Sequence, residues 1–197
     1  SVPFVIRYTH MFKGDNDRWV VMDVCPSTYG GECPICAANS KLWNSGVESD
    51  KEISRKRKRR KEYIFNVVVI DDPRRPELNG TVQVFGCGAT IFNKILEAQK
   101  PEFGEEAKRP FDILGGHNFI FRMKPDKAKG GQITYEVSKF EDKATDLFDG
   151  DEKKIEEMYN KMQDLKFFLE PEESQNTRPW NKIIAEAYKK CLPDYTH

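Results

Sequence analysis

Long hydrophobic runs are missing from this sequence. No uninterrupted apolar stretch is longer than that of Val67 to Ile70, which is far short of the ~20 residues that a membrane-spanning helix needs. We expect no secretory signal either. With 38% hydrophobic and 32% charged residues, the 197-residue chain is predicted to be a soluble globular protein. Its length fits one domain with an insertion, or two small domains, and is sufficient for a hydrophobic core.

Motifs for enzymatic chemistry are scarce as well. No glycine-rich nucleotide-binding loop is present, which argues against an ATP-driven helicase. A zinc deaminase needs an H-x-E motif and an open metal position for water, but no Glu follows His10 by two residues. A zinc hydrolase needs a general acid or base beside its metal. His117 is the candidate base, yet it follows Gly115-Gly116 and is more simply a turn residue. We therefore predict a binding protein.

Net charge is zero, but its distribution is uneven. Residues 1–66 carry 12 basic and 8 acidic side chains, whereas residues 141–173 carry 5 basic and 12 acidic ones. The chain is therefore expected to have a cationic front and an anionic rear.

Cysteines are few but clustered. Three of the five, Cys25, Cys33 and Cys36, lie within a dozen residues, and His10 precedes them at the end of a predicted strand. Such clustering favours a metal over disulfides in a protein that is not secreted. The alternative is three reduced thiols and a surface histidine. Because four protein ligands leave no open position, we predict one structural Zn²⁺ ion.

Hydrophobic periodicity and turn residues predict a β-rich chain with a helical end. The predicted strands are residues 2–9, 18–24, 62–70, 81–86, 117–124 and 132–138. The predicted helices are residues 35–43, 90–99, 155–169 and 180–191. Residues 44–50 are predicted to be a loop, and residues 126–131 the turn of a hairpin between the last two strands.

An unbroken run of seven cations joins the cysteine region to the strand that begins at Glu62. We define this basic run as Arg55, Lys56, Arg57, Lys58, Arg59, Arg60 and Lys61. A solvated loop or a nuclear-localisation signal would have the same composition. Aromatic residues nevertheless accompany it: Trp19, Tyr29, Trp43 and Tyr63 are close in sequence, and Phe85 and Tyr135 lie on predicted strands. Cationic surfaces with aromatic platforms are typical of proteins that bind single-stranded nucleic acids.

Several motifs, taken in order, match one known family. They are Arg7-Tyr8-Thr9-His10-Met11-Phe12-Lys13, Trp19 leading to Cys25, Cys33-Pro34-Ile35-Cys36, Leu42-Trp43-Asn44, the basic run into Tyr63, Asn66-Val67-Val68-Val69, Asp72-Pro73 and Ser138-Lys139-Phe140. In this pattern the chain resembles the core of the single-stranded DNA-binding, helix-destabilising proteins of T-even-type bacteriophages. The resemblance covers roughly residues 4–140 and extends only loosely to the helical end.

The resemblance implies an α+β, β-rich fold. Residues 1–9 and 62–140 would form an oligonucleotide-binding (OB) barrel, residues 10–61 an inserted zinc subdomain, and residues 141–197 a helical connecting or capping region. Single-stranded DNA would lie in the cleft between barrel and subdomain, in the service of replication, recombination and repair. The implied zinc ligands are His10, Cys25, Cys33 and Cys36. The resemblance places DNA-facing aromatic residues at Trp19, Trp43, Tyr63 and Tyr135, and also at Tyr29 and Phe85. Its basic contacts map onto Lys58, Arg59 and Arg60, which the other four cations of the basic run would reinforce, and Lys13 is a further candidate contact.

The chain also departs from this family. Ile53 and Ile64 stand where the family has aromatic residues able to stack, which leaves the number of stacked bases open. The family's basic N-terminal arm, which drives self-association on DNA, and its acidic tail, which recruits replication and recombination proteins, are not visible. We expect a trimmed core that acts in the cytoplasm of an infected bacterial host. A zinc-containing protein that binds single-stranded RNA or mRNA in translational control is the alternative.

Overall fold

A computed structural model describes residues 3–13, 19–22 and 24–169 of the chain. The strands are β1 (Phe4–Lys13), β2 (Trp19–Met22), β3 (Arg60–Val68), β4 (Val82–Cys87), β5 (Gly116–Ile120), β6 (Lys124–Asp126), β7 (Gln132–Thr134) and β8 (Lys139–Thr145). The helices are α1 (Pro34–Asn44), α2 (Glu48–Lys56), α3 (Ala89–Gln99) and α4 (Glu152–Lys161), with short 3₁₀ turns between them. The fold is mixed α and β, as predicted. No helix in the described part of the chain combines the length and apolar composition needed to cross a membrane.

The first four strands form one sheet in the order β2-β1-β3-β4. β1 and β2 are antiparallel, with His10 opposite Met22 and Lys13 opposite Trp19. These strands were predicted from their β-branched and aromatic residues, and β1 continues four residues further than predicted, to Lys13. Gly14-Asp15-Asn16-Asp17 also predicts a turn after this strand, and these residues lie outside the described part of the chain.

The loop predicted over residues 44–50 is confirmed only at residues 45–47, because α1 extends to Asn44 and α2 begins at Glu48. The acidic first turn and the basic last turn of α2 both complement the helix dipole. Glu48 also pairs with Arg55 at 2.8 Å. The hydroxyl of Ser54 donates to the carbonyl of Asn39 at 3.1 Å, which joins α2 to α1. The helix was missed because its sequence has little of the apolar periodicity that marks a helix.

The predicted hairpin between residues 117–124 and 132–138 is only partly correct. Its tip exists as the short antiparallel pair β6 and β7. β5, however, pairs with the later strand β8, with an irregular register between His117 and Phe119. The buried Ser138 explains the early end of β5, because its hydroxyl accepts from Arg122 N at 2.9 Å and donates to Arg122 O at 3.0 Å. Side-chain bonds thus replace strand pairing at this point.

The predicted helix over residues 155–169 is divided. α4 starts at Glu152, after the Asp151 carboxylate caps it by accepting from Lys153 N and Lys154 N. It ends at Lys161, and a separate 3₁₀ turn spans Leu165–Leu169. Asn66 fixes the connection by exchanging two hydrogen bonds with the backbone of Gln163. The predicted helix at residues 180–191 lies outside the described residues.

The chain separates into two compact units. Unit one comprises residues 1–4 and 65–164, and unit two comprises residues 5–64 and 165–197. The core of unit one contains a cluster of phenylalanine rings, with centroids 5.0 Å apart for Phe4 and Phe92 and 6.2 Å apart for Phe65 and Phe111. Among the described residues the strands form three separate sheets. The closed OB barrel and the predicted three-part division therefore stay predictions.

Candidate metal centre and cationic aromatic surface

The four predicted metal ligands come together in unit two. The ligand atoms of His10, Cys25, Cys33 and Cys36 all lie within 4.8 Å of one another. His10 Nε2 lies 3.4 Å from Cys36 Sγ and 3.5 Å from Cys33 Sγ, and Cys25 Sγ lies 3.7 Å from Cys36 Sγ. A tetrahedron with Zn–S bonds of ~2.3 Å has edges of about 3.8 Å. The cluster therefore has the dimensions of a four-coordinate metal site.

Local structure explains how these four side chains converge. β1 carries His10, and the backbone of the next ligand is attached to the same strand, since Cys25 N donates to Tyr8 O at 2.7 Å. Cys33 is the N-cap residue of α1, and Cys36 lies in its first turn, directly after Pro34 begins the helix. Proline is favourable at this helical position because its missing N–H would have no partner there.

The imidazole of His10 is oriented by a backbone carbonyl. His10 is completely buried, and its Nδ1 lies 3.1 Å from the carbonyl oxygen of Arg57. Because a carbonyl can only accept, Nδ1 carries a proton, and Nε2 faces the sulfurs, where it would supply its lone pair to a bound metal. This is the outer-shell arrangement that metal-ligating histidines usually have.

Hydrogen bonds couple the protonation of the four side chains in the cluster. Burial lowers the pKa of His10, but hydrogen bonds to Cys25 and Cys36 outweigh this effect and raise the pKa to about 9. Hydrogen bonds from Cys33 and Cys36 hold the pKa of Cys25 far below that of an ordinary thiol. Hydrogen bonding to Cys25 raises the pKa of Cys33 in turn. A bound divalent ion would deprotonate all three thiols outright.

The donor set favours a closed site. Cys25, Cys33 and Cys36 form no disulfide, and three sulfurs with one imidazole nitrogen are a ligand set that structural Zn²⁺ uses. Cys87 stands between two glycines, a position that predicts an ordinary buried thiol, and it is buried in unit one and lies outside the cluster. Cys191 is outside the described residues.

The basic run is divided among three structural elements. Arg55 and Lys56 end α2, the next three residues connect the elements, and Arg60 and Lys61 begin β3. Arg57 is half-buried and the other six cations are exposed. The backbone of the run is attached to the metal site, because Arg57 O also accepts from Asn39 Nδ2 at 2.9 Å.

Several cations of the run lie over aromatic rings in unit two. The Arg59 guanidinium carbon is 4.2 Å from the centre of the Tyr8 ring, and Lys61 Nζ is 5.9 Å from the same ring. The guanidinium of Arg55 lies 5.4 Å from the ring of Trp43. Such cation–π pairs contribute about 0.5–1 kcal/mol at exposed sites. Trp43 remains 48% exposed and therefore presents ring surface to a ligand.

Tyr8 was missed by the sequence analysis. Strand alternation could have found it, because Tyr8, His10 and Phe12 are successive residues on one face of β1. Phe12 is buried, and the Arg57 guanidinium lies 5.7 Å from its ring.

The other predicted contact residues of unit two have different environments. Tyr29 is exposed at the end of a 3₁₀ turn, and Lys13 is exposed at the end of β1. Trp19 begins β2, but its side chain is not among those described. Tyr63 is only 7% exposed and so has little ring surface for a ligand. Ile53 is exposed on α2, whereas Ile64 is buried in β3.

Unit one carries an aromatic cluster of its own. Phe85 and Tyr135, both predicted as contacts, are joined by Phe121, which was not predicted. Phe121 meets Phe85 edge to face and Tyr135 nearly parallel, with centroids 5.4 Å apart in each pair. Phe121 is 42% exposed. The sequence could have indicated Phe121, because it lies two residues after Phe119 in a predicted strand and therefore on the same face.

Comparisons with known proteins give one consistent result. Residues 1–186 match a family model described as gp32 DNA binding protein like. The chain is 33% identical over 174 residues to the single-stranded DNA-binding protein of Enterobacteria phage T4, covering 84% of this chain and 54% of that protein. It is 32% identical over 172 residues to the protein of the same name from Enterobacteria phage T2, with the same coverage. The chain thus spans about half the length of these relatives.

Proposed function

The chain belongs to the gp32 DNA binding protein like family, and from this premise we propose that it is a non-enzymatic protein that binds single-stranded DNA irrespective of sequence. The observation that carries the proposal is the exposed basic run, whose cations lie against the rings of Tyr8 and Trp43 beside a buried cluster of four metal ligands. Cations attract phosphates and exposed rings stack on bases, so both components of a single strand are engaged.

Selectivity for single strands follows from the rings. A base face is available for stacking only when the strand is unpaired, and each stacked base contributes about 1–3 kcal/mol. Separating a base-pair step costs about 1.4 kcal/mol. A protein that stacks on a few bases therefore destabilises a duplex. We extend this to a role in DNA replication, recombination and repair.

We assign the unit-two contacts to Trp43, Tyr29, Lys13 and the exposed members of the basic run. The half-exposed cluster of Phe85, Phe121 and Tyr135 supplies a further stacking surface in unit one. Stacking surfaces of this kind tolerate any base, since every base has a π-face. We also propose that the chain contains an OB barrel and that the DNA binds in a cleft beside it.

The metal in this proposal is one structural Zn²⁺ ion held by His10, Cys25, Cys33 and Cys36. When bound, the ion supplies a four-way cross-link with no open position for chemistry. The residues around it position the DNA-binding surface, because Arg57, in the basic run, accepts the hydrogen bond from His10. The chain spans about half the length of its relatives. We propose self-association on DNA and binding of replication proteins for a protein of the relatives' full length. Action inside an infected bacterial host follows from the same relatives.

The test is a fluorescence titration with three matched ligands: an oligothymidylate, a duplex and an oligouridylate. We expect strong quenching by the oligothymidylate and little response to the duplex. If about four phosphates are neutralised, the log–log salt slope is expected near roughly −3. Metal analysis should give one zinc per chain. Equal affinity for duplex and single strand would refute the proposal, and a clear preference for the RNA oligomer would support translational control instead.

A further inference from the structure

The side chain of Ser27 contacts both a metal ligand and a residue of the basic run. Its hydroxyl oxygen lies 3.1 Å from the sulfur of Cys25 and 2.6 Å from Nη1 of Arg59. Cys25 is one of the four clustered ligands, and Arg59 is an exposed cation of the basic run. One hydroxyl therefore contacts both parts of the candidate site.

The direction of these hydrogen bonds is determined by chemistry. A guanidinium can only donate, so the oxygen of Ser27 accepts from Arg59. The Ser27 proton is then available for Cys25. A sulfur bound to a metal ion has no proton to give and can only accept. With a metal in place, the chain of donors runs from Arg59 to Ser27 to Cys25.

The far end of this chain is held at a fixed place. The Arg59 guanidinium carbon lies 4.2 Å from the centre of the Tyr8 ring. Tyr8 is itself attached to the segment of the metal ligands, because Tyr8 N donates to Thr28 Oγ1 at 3.0 Å and Tyr8 O accepts from Cys25 N at 2.7 Å. The Arg59 side chain is thus oriented from two sides, by Ser27 and by Tyr8.

We propose that Ser27 is a positioning residue that couples metal binding at Cys25 to the DNA affinity of Arg59. This inference rests on the proposed function and names the physical link between its two components. A bound metal fixes the position of the Cys25 sulfur, and the fixed sulfur holds the Ser27 hydroxyl as a donor and keeps its oxygen turned towards Arg59. Arg59 is then presented to a phosphate in one orientation rather than many, which reduces the ordering required on binding.

Thermodynamic reciprocity gives the proposal a second consequence. If the metal raises the affinity for DNA by some factor, DNA must raise the affinity for the metal by the same factor. Even where the Ser27→Ala variant still binds both the metal and DNA, each should raise the affinity for the other much less than in the unmodified chain. A purely structural role for Ser27 would lower both affinities without changing their coupling.

The first experiment is a double-mutant cycle with oligothymidylate, measured by fluorescence anisotropy on zinc-loaded protein. We expect Ser27→Ala to weaken binding about fivefold, on the scale of the net contribution of one ordinary hydrogen bond. Arg59→Ala should weaken binding more, and Ser27→Ala should cost nothing further in the Arg59→Ala background. Ser27→Thr, which keeps a hydroxyl, should restore affinity. Losses that multiply in the double variant would overturn the inference while leaving DNA binding intact.

The second experiment measures zinc retention against a chromophoric chelator, with and without oligothymidylate. In the unmodified chain DNA should slow zinc loss, and in Ser27→Ala this protection should nearly vanish.

Ser49→Ala, at an exposed serine of α2, is the matched control and should retain the protection. Lys58→Ala should also weaken DNA binding. In the double variant with Ser27→Ala, the two fold losses of DNA affinity should multiply. If Ser27→Ala keeps full protection, Ser27 is not the link; if the unmodified chain binds no oligothymidylate, the proposed function fails as well.

Discussion

The imidazole of His10 has two separate tasks at the level of single residues. Its Nδ1 donates to Arg57 O at 3.1 Å, and its Nε2 faces the sulfurs of Cys33 and Cys36 at 3.5 and 3.4 Å. One ring thus connects a metal ligand set to the backbone of the basic run. A hydrogen bond to the outer nitrogen also makes the inner one a better ligand.

Replacing one thiolate tests the ligand set. Cys36→Ser should lower zinc affinity at least about 100-fold, because even changes outside the ligand shell cost ~10–100-fold. Cys87→Ser is the matched control, since Cys87 is also buried but lies outside the cluster, and it should keep one zinc per chain. Both are checked by native mass spectrometry with a chelator titration. Equal zinc content in the two variants would contradict the assignment.

Trp43 tests base stacking at a single ring. With 48% of its surface exposed, Trp43→Ala should weaken oligothymidylate binding by about 1–3 kcal/mol, the usual contribution of one stacked base. Trp43→Phe keeps an aromatic face and should retain most of the affinity. Anisotropy of a labelled oligonucleotide is the appropriate measurement, because both variants remove a fluorescent residue. Unchanged affinity of Trp43→Ala would exclude this ring from the interface.

Among the elements, α2 shows how a strongly polar segment becomes a helix. Its stability comes from charges that complement the helix ends, from the pair of Glu48 with Arg55 and from the Ser54 bond to α1. Exposed ion pairs of this kind contribute little, because water and salt screen them. The helix therefore depends on its packing against α1, and it delivers Arg55 and Lys56 to the surface at its last turn.

The cap of α4 gives a prediction for a single element. Asp151 accepts hydrogen bonds from two backbone N–H groups, of Lys153 and Lys154. Asp151→Ala should destabilise unit one by about 1 kcal/mol, whereas Asp151→Asn, an equally good cap, should cost a few tenths. Urea unfolding followed by fluorescence measures the difference. The assignment of a cap would be wrong if the two variants were equally unstable.

At the scale of the whole molecule, all four ligands belong to unit two and none to unit one. Structural zinc contributes about 10–16 kcal/mol in small modules, which is comparable to the entire stability of a domain. Metal binding is therefore expected to support unit two far more than unit one.

Chelation tests this difference between the units. Removing zinc should open residues 5–64 to proteolysis and leave residues 65–164 resistant. Limited digestion with mass spectrometry of the fragments locates the cleavages, and zinc-saturated chelator is the control for the reagent. An unchanged digestion pattern in residues 5–64 would show that the cluster does not hold unit two together.

Several features could be predicted because they depend on residue type and short-range spacing. The ligands were recognisable since Cys33 and Cys36 form a knuckle and few other residues can bind a soft metal. α1 and α3 follow from apolar periodicity, and both are present close to their predicted ranges. By contrast, α2 has no such periodicity, and the pairing of β5 with β8 joins strands that local turn signals do not connect.

The amino-acid sequence by itself determined the composition of the site: three thiols, one imidazole, seven adjacent cations and the aromatic residues around them. Only the tertiary structure decided which of these groups meet. Tyr8 lies under Arg59, Phe121 joins Phe85 to Tyr135, and Tyr63 is buried. The physical reason is that side-chain chemistry is a local property, whereas exposure and contact depend on strand neighbours and helix packing that bring distant residues together.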